Sequence, residues 1–430
     1  MSSLKRAFLT DPIAGTIELP AWLVRIKEEQ AIRRMMFIRQ LGLKSYIDFP
    51  GAIHTRYSHG IGTMYLSGKV VDWLAPRMQD QGMRSIATIL RENKQTLMAA
   101  GFLHDIGHGP FSHAVDYVME TISGKTHEEL AEEIILQRLP PDLENWFNVQ
   151  LVVKLIRGKH DYPFLSSIIN GPLDVDKLDY LLRDAHHVGL KYSFDLDYFL
   201  RSYTILGHDS SPENCELGLD ESLDASVTAE LFLVIWKSMY DLVYHVQASR
   251  IAEKMLEKVL LMHKEDDRIS SQFTKIENFL NFDDGKVFSI LDEIGGRASE
   301  ISNWIRSNKL YKPVLEKELH VENFQMSPEL IADVKESPDA VSERLSQALN
   351  NKLDRENYQF ICDIVTGRSP DEIRINEVEE GEYVLLRKKS KIVGAIQGER
   401  RLMVYVDPTV TNIPSNEDIY SHCKDLIGEL

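Results

Sequence analysis

Cysteine is scarce in this chain: its 430 residues hold three, Cys215, Cys362 and Cys423, far apart and without a CxxC pair. That excludes a disulfide framework and a thiolate zinc site, and leaves any metal to His and Asp in a reducing cytoplasm. Long apolar runs are missing too. No stretch approaches the roughly 18 residues of a membrane span, and the opening Met-Ser-Ser-Leu-Lys-Arg meets Thr10 and Asp11 too soon for a signal-peptide core. A cytoplasmic protein without membrane contact is expected. Positive charge is short as well, with 49 Lys and Arg against 66 Asp and Glu, a net charge of −17. Duplex nucleic acid is held largely by phosphate neutralisation, so this surface disfavours bulk duplex binding. A polyphosphate ligand would meet the same repulsion and needs a local positive field from metal, Arg and Lys.

What is there is ordinary globular composition, 43% hydrophobic and 27% charged. The length suits a large domain with an appended second one. No repeat or low-complexity tract occurs. From about residue 20 to 265 the pattern is mainly helical. Within 226–264, Leu231, Val234, Ile235, Met239 and Leu242 recur at spacings of three and four, which predicts one buried helix face. Thr126-His127-Glu128-Glu129 reads as a capping box opening another helix. After 265 the pattern loosens, and 281–286 and 327–338 read as connections between short helices. The apolar segments 383–386 and 402–406, with Gly394 and Gly398 between them, read as strands. The run Arg387-Lys388-Lys389, with Lys391, Arg400 and Arg401, reads as a solvated hairpin face. The expected fold is mainly α, a helical catalytic core over 1–265 with a smaller α+β region over 266–430.

The densest chemical signal is His104-Asp105-Ile-Gly-His108-Gly-Pro110-Phe-Ser-His113, three imidazoles and a carboxylate within ten residues behind an apolar helical run. On a continuous helix His104 and His108 share a face. Imidazole with carboxylate suits Zn, Fe or Mn. A single core histidine satisfied by a carbonyl is commonplace, but such a cluster is poorly explained that way. The zinc-protease spacing H-E-x-x-H is the rival, disfavoured by Asp105 in place of Glu and by Gly107 beside the second His. Two other segments carry matching chemistry: Phe49-Pro-Gly-Ala-Ile-His54-Thr-Arg56-Tyr-Ser-His59 and Asp174-Val-Asp176-Lys177-Leu-Asp179-Tyr180-Leu-Leu-Arg183-Asp184-Ala-His186-His187. On a helix Asp176, Tyr180 and Asp184 form one polar stripe beside Lys177, with Val175, Leu178 and Leu182 on the apolar side. That stripe fits a ligand wall and a solvated face equally.

Taken together, the order His … His-Asp … Asp with these flanks resembles the HD superfamily. Further matches are Asp11-Pro-Ile-Ala-Gly15, Gln40-Leu-Gly42, Arg56-x-x-His59 and His127-Glu128. With them, the wording resembles the deoxynucleoside triphosphate triphosphohydrolase branch, the SAM-and-HD-domain type, over roughly residues 8 to 265. The resemblance implies that His59, His104, Asp105 and Asp176 bind one divalent transition metal (Mn, Fe or Zn), with Mg accompanying the nucleotide phosphates. A bound divalent ion lowers the pKa of water from about 15.7 to about 7, roughly 12 kcal/mol of activation at about 1.36 kcal/mol per unit. Attack at the α-phosphorus releases nucleoside and intact tripolyphosphate. The resemblance further implies that His108, His113, Asp116 and His127 line the phosphates and supply acid–base function. Asp116, three after His113, is placed to fix that imidazole's tautomer. Arg56, Lys177 and Tyr180 match phosphate-holding positions, Asp184 meets the sugar hydroxyl, and Gln40, Leu41 and Tyr244 surround sugar and base. A homo-oligomer, dimer or tetramer, is implied. There are departures: Trp236 stands where the family has a further phosphate-binding arginine, and Glu28, Arg33 and Met36 stand where the animal branch reads an effector nucleotide, so no GTP requirement is expected. The alternatives are an HD phosphohydrolase acting on nucleoside monophosphates or single-stranded nucleic acid ends, and a non-catalytic nucleotide sensor.

Overall fold

The computed structural model describes residues 6–207, 211–324, 326–367, 369–376 and 383–429. Its helices of interest are α1 (Arg56–Asp80), α2 (Lys94–Leu103), α3 (His113–Ser123), α4 (His127–Arg138), α5 (Val175–Val188), α6 (Ala225–Met239), α7 (Gln247–Met262), α8 (Asp284–Ile294), α9 (Pro328–Glu336), α10 (Pro338–Lys352) and α11 (Asn416–Glu429). The long helix α1 is the spine, packed against α2 and α5. It starts where the Thr55 side chain accepts from Ser58 N–H and Ser58 Oγ caps Thr55 N–H in return. Its Thr63 and Ser67 face α2 so closely that a Cβ on Gly101 would lie 2.9 Å from the Thr63 carbonyl. The box at Thr126 and Glu129 opens α4 as the sequence predicts.

Strands are short and paired across long sequence distances. β1 (Ala7–Asp11) and β2 (Gly15–Leu19) form a hairpin. β3 (Tyr203–Leu206), β4 (Glu216–Asp220), β7 (Arg374–Asn376) and β8 (Tyr383–Leu385) form one sheet, in which β4 and β7 run parallel. β5 (Lys312–Glu318), β9 (Arg400–Val406) and β6 (Phe360–Thr366) form an antiparallel sheet against which α10 packs. The architecture is mainly helical with small sheets. A larger apolar core, from Ile17 to Tyr311, also takes in Ile361, Met403 and Tyr405. A smaller one, between Leu315 and Ile427, lies beneath α9, α10 and α11. Among the described residues no helix is long and apolar enough to cross a membrane.

Four expectations need correction. Residues 327–338 are mostly the helix α9, because Ser327 caps Leu330 N–H and Pro328 occupies the first turn. Residues 281–283 do connect two short helices, Ile276–Phe279 and α8, as expected, and Asp283 caps Lys286 N–H in the first turn of α8. The strand expected over 383–386 ends at Leu385. The basic run beyond it lies on two helical turns, Leu386–Lys389 and Lys391–Ala395, not on a hairpin, and Lys389 pairs with Glu221 at 2.9 Å. On α6 the inward face is Ala229, Phe232, Leu233, Ile235, Trp236 and Met239. Leu231, Val234 and Leu242 are 43%, 44% and 53% exposed, and with Val227 they form an apolar stripe on the surface.

Candidate active site

Helix α2 stops at Leu103, and residues 104–108 form a turn in which His108 N–H donates to the Asp105 carbonyl at 3.1 Å. His104 and His108 therefore do not share a continuous helix face, contrary to expectation. The turn serves close approach: a Cβ on Gly107 would lie 2.0 Å from the His127 carbonyl, so only glycine lets α4 close on it. Phe111 and Ser112, non-glycine residues at φ 57° and 54°, carry the chain onward. The Asp284 carboxylate on α8 holds this strained loop, accepting from Phe111 N–H at 2.7 Å and Arg39 N–H at 3.0 Å.

His59 on α1, His104 after α2 and Asp176 in the first turn of α5 converge. His59 Nε2 lies 3.0 Å from Asp176 Oδ1 and 3.3 Å from His104 Nε2, and His104 Nε2 lies 3.4 Å from Asp176 Oδ1. Asp105 flanks them, 3.2 Å from His104 Nε2 and 3.6 Å from His59 Nε2. The opposite ring atoms settle the tautomers. His59 Nδ1 donates to Asp179 at 2.8 Å and His104 Nδ1 donates to the Gly101 carbonyl at 2.8 Å, and both of these partners only accept. With Nδ1 so engaged, each ring in its neutral form presents its Nε2 lone pair toward the same point. Two donors about 2.0–2.1 Å from one ion stand about 2.9–3.4 Å apart at angles of 90–110°, which matches. His59, His104 and Asp176 fit a divalent cation, with Asp105 flanking them. Burial opposes protonation of His59, yet hydrogen bonds to Asp176 and Asp179 and the charge of Asp105 raise its imidazole to about 10, a measure of the negative field a cation would neutralise.

Asp179 is itself gripped by Arg183, Nε at 2.7 Å and Nη2 at 2.9 Å, while Arg183 Nη1 reaches Asp11 at 2.7 Å. All three are buried. A Cβ on Gly62 would collide with the Asp179 carboxylate at 1.8 Å, so α1 needs glycine there. On α5, then, the inward face includes charged Asp179, Arg183 and Asp184, whereas Leu182, expected on the apolar side, is only half-buried.

On one side of the convergence, Arg56 donates to Asp105 at 2.5 Å and to Ser112 Oγ at 3.0 Å. Burial opposes it, but Arg56 and His104 hold the Asp105 carboxyl well below the usual range. Asp116 takes His113 Nδ1 at 2.9 Å and lies 3.5 Å from His108 Nδ1 and 3.9 Å from His127 Nδ1. The His108 and His127 rings stack at 4.0 Å and 17°. An ion lies in the plane of an imidazole that binds it, so near-parallel stacked rings do not both ligate one metal, and this group suits proton transfer better. Burial and the neighbouring His108 push His127 down to about 3. Lys177 spends its ammonium on the Gly171 carbonyl at 2.8 Å and Asp174 at 2.9 Å, and is not brought beside Arg56.

On the other side, Asp184 Oδ1 meets His54 Nε2 at 2.7 Å and Oδ2 accepts from Tyr244 O–H at 2.7 Å. Tyr244 ends a π-helical turn, Tyr240–Tyr244, whose extra residue turns its ring toward Tyr180, 6.0 Å away. Gln40 and Leu41 are near this group through Gln40 N–H, which donates to the His54 carbonyl at 3.0 Å, and among the described residues the buried Gln40 Oε1 has no hydrogen-bond partner. Sequence reasoning missed the roles of Asp179, Arg183, His54 and Asp284. Asp179 and Arg183, four apart on one helix, were the available signal.

Residues 56–184 match the HD domain, and residues 220–413 match the family described as HD associated region. The chain belongs to the HD superfamily. The matched HD domain contains His59, His104, Asp105 and Asp176, and the associated region adds Tyr244 and Asp284. An uncharacterized protein of Methanocaldococcus jannaschii is 29% identical over 285 residues, 66% of this chain and 54% of that one. Deoxynucleoside triphosphate triphosphohydrolase SAMHD1 of Bos taurus is 28% identical over 387 residues, 76% of this chain and 63% of that one. The chain thus spans between about half and two thirds of the length of these relatives. A crystal structure of a hypothetical protein from Aquifex aeolicus shares the fold, with TM-score 0.72 and 24% identity over 97% of this chain and 99% of that one.

Proposed function

We propose that this HD protein is a metal-dependent dNTP triphosphohydrolase that cleaves at the α-phosphorus to give deoxynucleoside and tripolyphosphate. The observation that carries the reading is the order of chemistry around the convergent His59, His104 and Asp176. Arg56 and the Asp116-linked imidazoles stand on one side, and Asp184 with Tyr244 and the unpartnered Gln40 Oε1 on the other. That order suits a phosphate end, a reacting centre and a sugar end. A divalent Mn, Fe or Zn ion held by His59, His104, Asp105 and Asp176 supplies Lewis acidity and lowers the pKa of water. Arg56 presents a fixed guanidinium to phosphate oxygens. Asp116 orients His113 by a hydrogen bond, with His108 and His127 within 3.5 and 3.9 Å of its carboxylate, and this group holds phosphate and passes a proton to the departing sugar oxygen. Lys177 and Tyr180 complete the phosphate wall once Lys177 leaves Asp174, and Mg accompanying the phosphates adds the positive charge that a chain of net −17 lacks.

The position of Lys177, together with Trp236, favours one second reading, a substrate with fewer phosphates such as a nucleoside monophosphate or a single-stranded end. We assign residues 1–265 to the catalytic core and 266–430 to the region that braces it. A homo-oligomer would bury the stripe Val227, Leu231, Val234 and Leu242. Running the reaction in ¹⁸O-water tests the proposal. Label in tripolyphosphate is expected. Label in inorganic phosphate with dNDP as co-product, or turnover of monophosphates but of no dNTP, would overturn it.

A further inference from the structure

His54 is buried, its side chain 1% exposed, in the extended segment just before α1. Among the described residues its Nδ1 has no hydrogen-bond partner. A neutral ring with the proton on Nε2 leaves Nδ1 as a bare lone pair, the less costly atom to bury, and makes Nε2 the donor to Asp184 at 2.7 Å. The ring cannot swing away, because His187 stacks on it at 4.2 Å and 11°. Tyr244 O–H holds the other carboxylate oxygen. Each oxygen of Asp184 therefore has one protein donor. A carboxylate offers about four lone-pair sites, so about two remain for a ligand, and with donors fixed on both sides only acceptance is possible.

The backbone makes the placement rigid. Gln40 N–H donates to the His54 carbonyl at 3.0 Å, and Arg39 bridges Thr55, the residue that caps α1. One short stretch thus carries His54 toward Asp184, Arg56 toward Asp105, and His59 into the metal site. Capping and bridging fix the spacing of these three side chains.

From this juxtaposition, and resting on the nucleotide reading above, we propose that His54 is a positioning residue for the sugar. It holds Asp184 as the acceptor for the 3′-hydroxyl and sets the distance from that hydroxyl to the reacting phosphate. A purely structural His54–Asp184 contact would stabilise the protein without distinguishing sugars.

The test compares KM for a dNTP with the competitive Ki of the matching 2′,3′-dideoxynucleoside triphosphate, which lacks the hydroxyl, in wild type, His54→Ala and His54→Gln. Losing the fixed acceptor is expected to raise the dNTP KM roughly tenfold in His54→Ala, the loss of about one charge-assisted hydrogen bond. The dideoxy Ki should stay within about twofold, and His54→Gln, which retains an N–H donor, should recover most of the loss. If His54→Ala does not fold, Tyr244→Phe, which removes the other donor, carries the same comparison. Equal rises in KM and Ki, or no change in either, would overturn the inference while leaving the proposed function intact. A wild type that turns over no dNTP would overturn both.

Discussion

Replacing Asp179 by Asn leaves every proposed metal ligand in place and should nonetheless weaken the metal. Asp179 accepts from His59 Nδ1 at 2.8 Å and from Arg183 at 2.7 and 2.9 Å. Asparagine has one acceptor oxygen for these three donors, and its amide, if turned toward His59, would favour the tautomer with the proton on Nε2, the atom that must bind metal. Removing such a partner typically costs 10–100-fold in metal affinity, or about 1.4–2.7 kcal/mol. Stability should fall as well, but by less than the roughly 3–5 kcal/mol of a fully orphaned buried charge, because Asp11 still holds Arg183 at 2.7 Å. Chelator competition monitored by metal analysis reads the first effect, and urea unfolding of the metal-free protein reads the second. Asp11→Asn is the control, costing stability with a smaller change in affinity, since Asp11 does not touch a ligand. Metal affinity within about twofold of wild type in Asp179→Asn would refute the reasoning.

Asp116→Asn should keep one metal per chain yet lower kcat by about 10²–10⁴, the usual worth of general acid–base catalysis; loss of metal would instead make Asp116 part of the metal site. Burial pushes Glu257 up to about 8, although Lys254 lies at 2.8 Å. The folded chain then keeps a proton there that the unfolded chain sheds near its ordinary 4.5, so this group's contribution to stability falls as pH rises between those values. Glu257→Gln should therefore gain on wild type by a few kcal/mol from pH 5 to 9, and a difference in unfolding free energy that does not vary with pH would exclude it. Leu231→Glu or Val234→Glu, both on the exposed stripe, should convert a homo-oligomer to monomer in analytical ultracentrifugation with a stability change within about 0.5 kcal/mol; unchanged sedimentation would remove this face from the interface.

How much of this was legible varies with the range of the signal. The helical core and the α4 capping box rest on local periodicity and caps, and there the expectations match. Among the strands, β8 and β9 match the expected segments 383–386 and 402–406, while the other strands were not read from the sequence. β4 pairs in parallel with β7, Leu219 opposite Ile375, so three-residue β7 joins the sheet through a partner more than a hundred residues away as well as through nearby β8. On α6 an apolar period of three and four identified a helix but not which stripe faces inward, because both faces are apolar. Within the site, His59, His104, Asp105 and Asp176 were recognisable by chemistry and order. Their supports were not: Asp179, Arg183 and Asp11 lie in segments that carry the resemblance, but their bracing role shows only once β1, α1 and α5 come together. Asp284 lay outside the segment that carried the resemblance.

Trp236 is where sequence and geometry together go furthest. As the occupant of an arginine position it reads as a missing phosphate contact. In the fold it is 5% exposed and contacts Tyr240 at 4.7 Å, and Tyr240 in turn contacts Tyr244 at 5.1 Å. Tyr244 donates to Asp184. The indole is thus the base of an aromatic column beneath Tyr244, which lies at the proposed sugar end, and burying it stabilises the π-turn that aims Tyr244. A guanidinium in that place would have to be desolvated beneath Tyr240 or swing outward and unpack the column. On the proposed reading, the exchange trades charge at the phosphate end for rigidity at the sugar end. Discrimination in this protein should then depend more on the sugar hydroxyl than on the number of phosphates, which is why the His54–Asp184–Tyr244 group is the place to measure it.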